Sequence, residues 1–573
     1  MGWLARQCSA VGLLAASLAC GAAPAPPAAN EAAVALPPFI VEEIAKGPPW
    51  RYAEAPGYEV LSRCNDATTR RVYEMHVQLH EVLSEILPPA LRLKLTVPRS
   101  LIIYDEELQP AASQEVIRQI LNTPAESPAA ERFSLGPDRS FRTPEPRVRY
   151  NFLPNLRLWD RDAMGIFMIV RRDDFEPDRL SLTPDYVNFV VKRRIPALPA
   201  WFISGILDLY RQTTFVRGEM VTEPMEWVSP AQTATVKSDP KMAYPVQPFA
   251  SFLAAQLPPP VPGQEIAPLH LWQAEAALLV RWGLDADKRA HREALWKFAE
   301  RSAVEGGREA VFQACFGFGF EEARTRLTAY LPAAVRRTLY FRPEKRAKVP
   351  TLALSNATDG QIARLKGDWE RLEVPYVKAI SADLAPKYLE QARKTLKRAY
   401  DRDDRDPRLL AVMGLCEVDA GNDAGARDYL EAARRIGPLR PRASYELARL
   451  RLAGWRAKLA VAGTRLDVPQ TADVLQPLFE ARELQPPLPE VYELIAEAWA
   501  SSTAEPTRRH LAVLDEGIRL FPLRPELVLR AAELYAQYGF HEEAAALTEL
   551  ASRLAIDETQ RPRLEKLRLK IAL

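Results

Sequence analysis

Histidine, cysteine and glycine are scarce in this chain of 573 residues, which contains 6, 5 and 25 of them. Metal sites and thiol chemistry depend on the first two residue types, and phosphate-binding loops depend on glycine. The sequence has no Cys-x-x-Cys pair and no glycine-rich phosphate loop. Lysine and arginine total 76 against 74 for aspartate and glutamate, so no strong net charge attracts nucleic acid. These absences predict a protein without a cofactor, a bound metal or a nucleic acid partner.

Long apolar runs are also missing, because no stretch reaches the roughly 18 consecutive apolar residues of a membrane span. The shorter run over residues 9–19 (SAVGLLAASLA) is typical of a secretory signal peptide. It ends in SLAC, which resembles a bacterial lipoprotein signal with Cys20 as the lipidated residue, and cleavage after Gly21 is the alternative of plain secretion. We therefore expect a signal peptide over 1–20 and a proline-rich tether over 21–49. The mature protein would lie in a bacterial cell envelope, either in the periplasm or anchored to the membrane through Cys20.

Three cysteines follow the signal, at positions Cys64, Cys315 and Cys416. In an oxidising compartment Cys64 and Cys315 could form a disulfide. Widely spaced single cysteines are more often buried apolar residues, so both interpretations stay open.

The rest of the composition is that of a folded protein, with 47% hydrophobic residues, 26% charged residues and 49 prolines. Strand patterns occur at residues 58–64, 99–104 and 164–170, and an amphipathic helix is predicted over 67–86. From Pro184 onward the pattern is helical. Strands followed by helices predict an α+β domain, a linker and then an all-α domain. The predicted boundaries are 50–340, 341–375 and 376–573.

The C-terminal part repeats itself at a spacing of 34 residues. The matched positions are Ala392 and Ala426, Leu396 and Leu430, and Ala399 and Ala433. Gly414 and Ala448 keep the same spacing, and small residues at a fixed period are typical of places where two helices cross. This pattern resembles the tetratricopeptide repeat, which implies an all-α solenoid that binds a protein or peptide. Residues 453–489 fit the period poorly and indicate an irregular repeat or an insertion.

A second motif lies in the first domain. Residues 198–205 (LPAWFISG), followed by Leu209 and Tyr210, resemble the LPxWxxEG…Y segment of gluzincin-type zinc peptidases, in particular the peptidase MA-like families. In those proteins a preceding helix carries HExxH, and the glutamate of the second segment is the third zinc ligand. The resemblance covers about residues 48–335 and implies a metallopeptidase-like fold for the first domain.

The zinc ligands of that family are replaced in this chain. Pro184, Asp185 and Asn188 stand in the HExxH place, and Ser204 stands where the third ligand would be. Proline has no ligand atom, and neutral amide and hydroxyl oxygens are poor substitutes for imidazole and carboxylate at zinc. We interpret the four positions as vestigial, without a catalytic or metal-binding role. Thr183 and Pro184 then begin an ordinary helix.

His76 and His80 are the other residues with a metal-like spacing, because i and i+4 share one face of a helix. Val77 and Leu79 occupy the places where either orientation of the zinc motif requires glutamate. Histidines on an amphipathic helix are more often structural, so we predict no metal site there.

The resemblance to tetratricopeptide proteins also implies a concave groove lined by the first helix of each repeat. Taking Gly414 and Ala448 as the small crossing positions gives one set of groove residues, Arg408, Arg442, Tyr445 and Arg449. Taking Ala496 and Ala532 gives a second set, Glu490, Glu493, Glu497, Glu526 and Glu533. The groove is therefore predicted to be basic in its first half and acidic in its second, a polarity that would orient a bound peptide.

These observations favour an exported, lipid-anchored, non-catalytic scaffold that binds a protein or peptide in the groove. Two alternatives remain from the sequence. The first is an active zinc metallopeptidase with non-standard ligands. The second is an envelope assembly or carrier lipoprotein that binds through its middle domain.

Overall fold

The computed structural model describes residues 48–86, 98–105, 151–152, 155–170, 180–181, 187–188, 191–192, 197–216, 219–254, 268–341, 350–380, 382–460, 464–554 and 557–571. The predicted signal peptide, the lipidation site Cys20 and nearly all of the predicted tether lie outside these ranges. None of the helices within them is long and apolar enough to span a membrane.

A mixed sheet forms the centre of the first domain. The strands in chain order are β1 (Arg51–Ala55), β2 (Tyr58–Ser62), β3 (Arg99–Asp105), β4 (Asn151–Phe152), β5 (Asn155–Trp159), β6 (Met164–Val170), β7 (Leu180–Ser181), β8 (Thr213–Val216), β9 (Glu219–Thr222), β10 (Leu339–Phe341) and β11 (Ser355–Asn356). Six of them pair in the order β11-β1-β2-β3-β6-β5, with β2, β3 and β6 parallel. A three-stranded sheet of β8, β9 and β10 and a short pairing of β4 with β7 complete the set.

Several helices accompany these sheets in the described part of the chain. They are α1 (Asp66–Ile86), α2 (Ala200–Arg211), α3 (Pro230–Ser238), α4 (Phe249–Leu253), α5 (Pro268–Arg289), α6 (Arg292–Glu305), α7 (Glu309–Phe316) and α8 (Phe320–Ala334). Helix α1 covers one face of the large sheet, where Val72 shares an apolar cluster with Leu101 and Ile103 of β3. The same cluster continues into α2, α5 and α6, so the sheet and these helices have one common core.

The C-terminal part is an all-α solenoid of antiparallel helix pairs followed by a single last helix. The helices are α9 (Asp359–Ile380), α10 (Ala385–Tyr400), α11 (Pro407–Asp419), α12 (Asp423–Ile436), α13 (Pro441–Ala460), α14 (Val468–Arg482), α15 (Pro489–Ala500), α16 (Arg508–Leu520), α17 (Pro525–Gln537), α18 (His541–Ser552) and α19 (Arg561–Ile571). The six repeated residues at 392–399 and 426–433 are all buried. A Cβ on Gly414 would lie 2.6 Å from Leu430, which shows how closely α11 and α12 cross.

Residues 359–375, within the predicted linker, belong to helix α9 and do not form a linker. Helix α9 pairs with α10, and a Cβ on Gly367 would lie 2.5 Å from Leu396, as close as the crossing at Gly414. Its other side covers the second face of the large sheet, where Phe167 lies 5.8 Å from Trp369 between ring centroids. The boundary near residue 376 is therefore corrected, and α9 joins the sheet to the solenoid.

Residues 453–489 also differ from the expectation of an irregular repeat or insertion. Most of them belong to α13 and α14, which form a regular helix pair with a lengthened first helix of 20 residues. Proline at 477 lies inside α14 without ending it, and Asp467 caps that helix. The repeat is complete, and only its length hides it from the 34-residue period.

Candidate protein-binding groove

The first helices of successive pairs contact one another in the order α11, α13, α15, α17 and end on α19. We call the surface of α9, α11 and α13 the docked half of the groove, and that of α15, α17 and α19 the open half. The two halves differ in what lies against them.

A turn of the first domain lies against the docked half. It joins β5 to β6, and the backbone N–H of Asp160 donates to the carbonyl oxygen of Ala163 at 2.8 Å. The Asp160 side chain also accepts a hydrogen bond of 2.7 Å from the backbone N–H of Arg161. We call residues 160–162 the acidic turn, since Asp160 and Asp162 are its two carboxylates.

Three arginines of the solenoid converge on Asp160. Its Oδ2 accepts from Arg371 of α9 at 2.7 Å, from Arg440 at 3.0 Å and from Arg442 of α13 at 2.5 Å. The side chains of Asp160 and Arg371 are only 5% and 2% exposed. Solvent therefore does not screen this contact, as it does in most surface ion pairs.

Asp162 binds the start of α13 from the same turn. Its carboxylate accepts from Arg440 Nη2 at 2.5 Å and from the backbone N–H of Arg442 at 2.8 Å. Its side chain is fully buried. A carboxylate at the first turn of a helix also complements the helix dipole, so Asp162 acts as a cap supplied from another domain.

Two aspartates of the solenoid complete the network. Arg371 pairs with Asp368 at 2.8 Å and with Asp419 at 3.0 Å. Burial alone would raise the pKa of Asp160, but the charges of Arg371, Arg440 and Arg442 outweigh it and hold that pKa well below its usual range. The carboxylate is therefore ionised at neutral pH and bound firmly.

Arg161 lies between the two aspartates and contacts two more of the predicted groove residues. Its guanidinium lies 5.4 Å from the ring centroid of Tyr445, and its Nε lies 3.9 Å from Glu490. The structure thus brings Arg442, Tyr445 and Glu490 together around one turn of the same chain.

The remaining members of the predicted basic set also have partners. Arg408 donates to Glu54 of β1 at 2.7 Å and to Glu59 of β2 at 3.1 Å. Arg449 donates to Glu446 at 2.7 Å. The contacts of Arg408 with Glu54 and Glu59 join the solenoid to the large sheet at a place separate from the acidic turn.

Sequence reasoning missed the acidic turn and the arginines that bind it apart from Arg442. Asp160 and Arg442 are 282 residues apart, and no local pattern indicates that they meet. The available signal is the Asp-Arg-Asp triplet at 160–162, which lies directly before the predicted strand at 164–170 and places two carboxylates close together.

The glutamates predicted to make the second half acidic are neutralised by arginines. The pairs are Glu493 with Arg524 at 3.3 Å, Glu497 with Arg530 at 3.2 Å and with Arg456, Glu526 with Arg563 at 2.9 Å and with Arg530, and Glu533 with Arg563 at 2.8 Å. The expectation of an acidic surface did not count these arginines, of which Arg456 lies on α13, Arg524 directly before α17, Arg530 on α17 and Arg563 on α19.

The open half contains a pocket of about 370 Å³ between α15, α17 and α19. It is lined by Ala496, Ala500, Arg530, Glu533, Leu534, Gln537, Arg563, Lys566, Leu567 and Lys570. Four of these side chains are cationic and one is anionic. The pocket is therefore basic, which is opposite to the charge predicted for this half.

Two of the four positions predicted to be vestigial zinc ligands lie within the described residues. Pro184 and Asp185 lie outside the residues that the structure describes. Asn188 is helical, and its Oδ1 is buried without a hydrogen-bond partner among the described atoms. Ser204 is half-buried within α2. The described part of the chain contains no group of three His, Cys, Asp or Glu residues placed to hold a metal.

The neighbouring motif residues have a packing role. Trp201 is 3% exposed, and its ring stacks on Phe298 of α6 at 5.4 Å. A Cβ on Gly205 would lie 2.4 Å from the carbonyl oxygen of Ala276, so only glycine allows this approach of α2 to α5. Trp201 and Gly205 therefore pack α2 closely against α6 and α5.

His76, of the histidine pair with metal-like spacing, is among the residues whose side chains the structure describes. His76 is buried in the core, with Nε2 3.4 Å from the sulfur of Met168. Burial, with a smaller effect of Arg99, lowers the pKa of His76 to about 3, so the ring is neutral. The side chain of His80 lies outside the described residues. Cys64, Cys315 and Cys416 are free thiols, so the possible disulfide is not formed.

No family model and no curated protein matches the chain. Solved structures similar to it include YrrB, described as a TPR protein with an unusual peptide-binding site, at 19% identity and a TM-score of 0.26 over 34% of this chain and 91% of that one. A thermophilic TPR protein of Thermus thermophilus, TTC0263, is 18% identical, with a TM-score of 0.25 over 35% of this chain and 99% of that one. Pseudomonas aeruginosa PilF is 15% identical, with a TM-score of 0.26 over 38% and 90%.

The C-terminal solenoid is assigned to the tetratricopeptide type on its own helix pairs and on the buried small residues where they cross.

Proposed function

We propose that this protein is an exported, non-catalytic scaffold that binds a protein or peptide partner through the open half of its groove. In this proposal Cys20 anchors the chain in a bacterial cell envelope. The first domain is a metallopeptidase-like domain without zinc, and it positions the solenoid.

The observation that carries the proposal is the pocket between α15, α17 and α19. Repeat solenoids use extended concave surfaces for binding, and here the chain itself covers the docked half. The open half is the part of that surface which a partner can reach. Its volume lies near the lower end of the range of ligand sites, about 300–1,000 Å³, which suits a few residues of a peptide.

The first domain supports a structural role. The described positions of the zinc motif, Asn188 and Ser204, are an amide and a hydroxyl, and the segment around Trp201 and Gly205 packs helices. The same domain supplies the acidic turn and the contacts of Glu54 and Glu59 to the solenoid. Its contribution is then to orient the groove.

The test is site-specific photo-crosslinking in the producing cell. Gln537, exposed in the pocket, is replaced by benzoylphenylalanine, and Lys394 on α10 receives the same residue as a control. We expect position 537 to crosslink a partner that position 394 does not reach. Ala500→Trp, which fills the pocket from an exposed position, should abolish that crosslink. A partner captured equally at both positions, or captured despite Ala500→Trp, would contradict the proposal.

A further inference from the structure

Two lysines of α19 give the open half an unbalanced positive charge. Lys566 and Lys570 are exposed, line the pocket and have no ion pair with the residues that the structure describes. Arg530 and Arg563, which also line it, are held by Glu526 and Glu533. The arginines form a fixed wall, and the lysines remain available to an anionic ligand.

We propose that the pocket binds an extended segment with two carboxylates separated by one residue, together with an apolar side chain. This inference rests on the proposed function and adds to it the chemistry of the partner. The ligand is an internal acidic-x-acidic segment of another protein.

The spacing of the lysines supports this pattern. Residues i and i+4 of a helix lie about 6 Å apart between Cβ atoms, and Lys566 and Lys570 have this relation. In an extended chain, residues i and i+2 lie on one face, about 6.6–6.8 Å apart. Two carboxylates in that register therefore meet the two ammonium groups together.

The lining of the pocket accounts for the apolar residue. Ala496, Ala500, Leu534 and Leu567 lie between the basic side chains, and Glu533 is the one acidic residue of the lining. A ligand that was only acidic would leave this apolar floor uncovered. In an extended segment, an apolar side chain two residues beyond the second carboxylate lies on the same face as the carboxylates, so it removes this floor from water and contributes binding free energy.

The docked half supplies a precedent within the same molecule. The acidic turn has the acidic-x-acidic pattern, and its two carboxylates are held by cationic side chains of the solenoid. Its middle residue, Arg161, lies on Tyr445. One half of the groove therefore already binds such a segment in cis, and the open half presents the matching charges to a second one.

The experiment uses the full mature chain and a fluorescent peptide containing Glu-Ser-Glu-Ser-Leu between flexible flanks, which places both carboxylates and the leucine on one face of an extended chain. Fluorescence anisotropy should show saturable binding that weakens as salt is added. A peptide with Gln in place of each Glu should bind at least about tenfold more weakly, and so should Lys566→Glu/Lys570→Glu with the original peptide. Lys387→Glu/Lys394→Glu makes the same charge change on exposed positions of α10 and should leave the affinity unchanged.

Equal binding of the Glu and Gln peptides, or full affinity in Lys566→Glu/Lys570→Glu, would overturn this assignment. Circular dichroism checks that each variant is folded. If position 537 crosslinks a partner in cells while the acidic peptide does not bind, the scaffold function stands and the ligand chemistry is wrong. If the peptide binds at the lysines but no cellular partner is captured at position 537, the chemistry stands and the scaffold proposal fails.

Discussion

The docked and open halves of the groove both contain ion pairs between arginine and a carboxylate, but these pairs differ in their exposure to solvent. In the docked half Arg371 and Asp160 are 2% and 5% exposed, whereas in the open half Arg563 and Glu533 are 34% and 36% exposed. Breaking one partner of a buried pair leaves an uncompensated charge in a medium of low dielectric, but an exposed charge returns to water. The first set therefore holds two domains together, and the second shapes a surface that remains accessible.

Removal of the central carboxylate should have the largest effect. Asp160→Ala leaves Arg371, Arg440 and Arg442 with an unpaired share of buried charge, and we expect a loss of about 3–5 kcal/mol in the free energy of unfolding. Urea denaturation followed by circular dichroism measures it. Glu305→Ala, which breaks an exposed pair with Arg301, should cost far less, because both charges return to water. A similar small cost for both variants would show that the acidic turn is not buried.

The packing beneath the turn should give the next largest effect. A Cβ on Gly165 of β6 would lie 2.8 Å from the Trp369 ring of α9, so Gly165→Ala should destabilise by about 1–3 kcal/mol. Gly454→Ala, within α13, is the matched control. A Cβ at this position would meet only the end of the Arg427 side chain, at 3.4 Å. Alanine there should be neutral or stabilising by up to about 1 kcal/mol. Thermal unfolding measures the stability of both variants. Equal stability of Gly165→Ala and Gly454→Ala would show that β6 and α9 are not in close contact.

Acid should weaken the docked half more than the open half. The arginines lower the pKa of Asp160 and of Asp368 despite burial, so the stability that these carboxylates contribute is present above about pH 4 and is lost as the pH falls further. The difference in unfolding free energy between wild type and Asp160→Asn should be about 2 kcal/mol or more at pH 7 and should shrink below pH 4. Glu526→Gln, in the open half, should show the same sign with a smaller amplitude, because Glu526 is more exposed. A difference that grows toward acid would contradict the ion network.

The smallest effect is expected where α19 joins the solenoid. Arg563→Ala removes pairs with Glu526 and Glu533 that are about one-third exposed, and we expect a loss of about 0.5–1 kcal/mol. This loss should vanish in 1 M salt, whereas the cost of Asp160→Ala should persist because salt does not reach that site. Denaturation at two salt concentrations separates the two halves directly.

Much of the solenoid could be predicted from the sequence because its packing is local. Ala392, Leu396 and Ala399 are buried where α9 and α10 cross, and their equivalents recur one repeat later. The predicted strands at 99–104 and 164–170 match β3 and β6 closely. Helix α9 was missed since its small residue, Gly367, lies 47 residues before Gly414, which breaks the 34-residue period.

The candidate site was less predictable because its chemistry depends on contacts between distant residues. The positions Arg442 and Tyr445 lie in the groove, but the acidic turn that covers them is more than 270 residues earlier. The sign of the net charge in the open half could not be predicted from the glutamates of the first helices alone. Arg530 and Arg563 cancel Glu526 and Glu533, and α19 then adds the two lysines.

Photo-crosslinking from Tyr445 tests the central claim most directly, since this ring lies under Arg161 of the acidic turn. Benzoylphenylalanine at position 445 keeps an aromatic side chain, and peptide mass spectrometry identifies what it reaches in the full chain with the acidic peptide present. We predict an intrachain crosslink to residues 158–163 at position 445, and a crosslink to the peptide at position 537. A crosslink from position 445 to the added peptide, with none to residues 158–163, would show that the first half of the groove is open and would contradict the account.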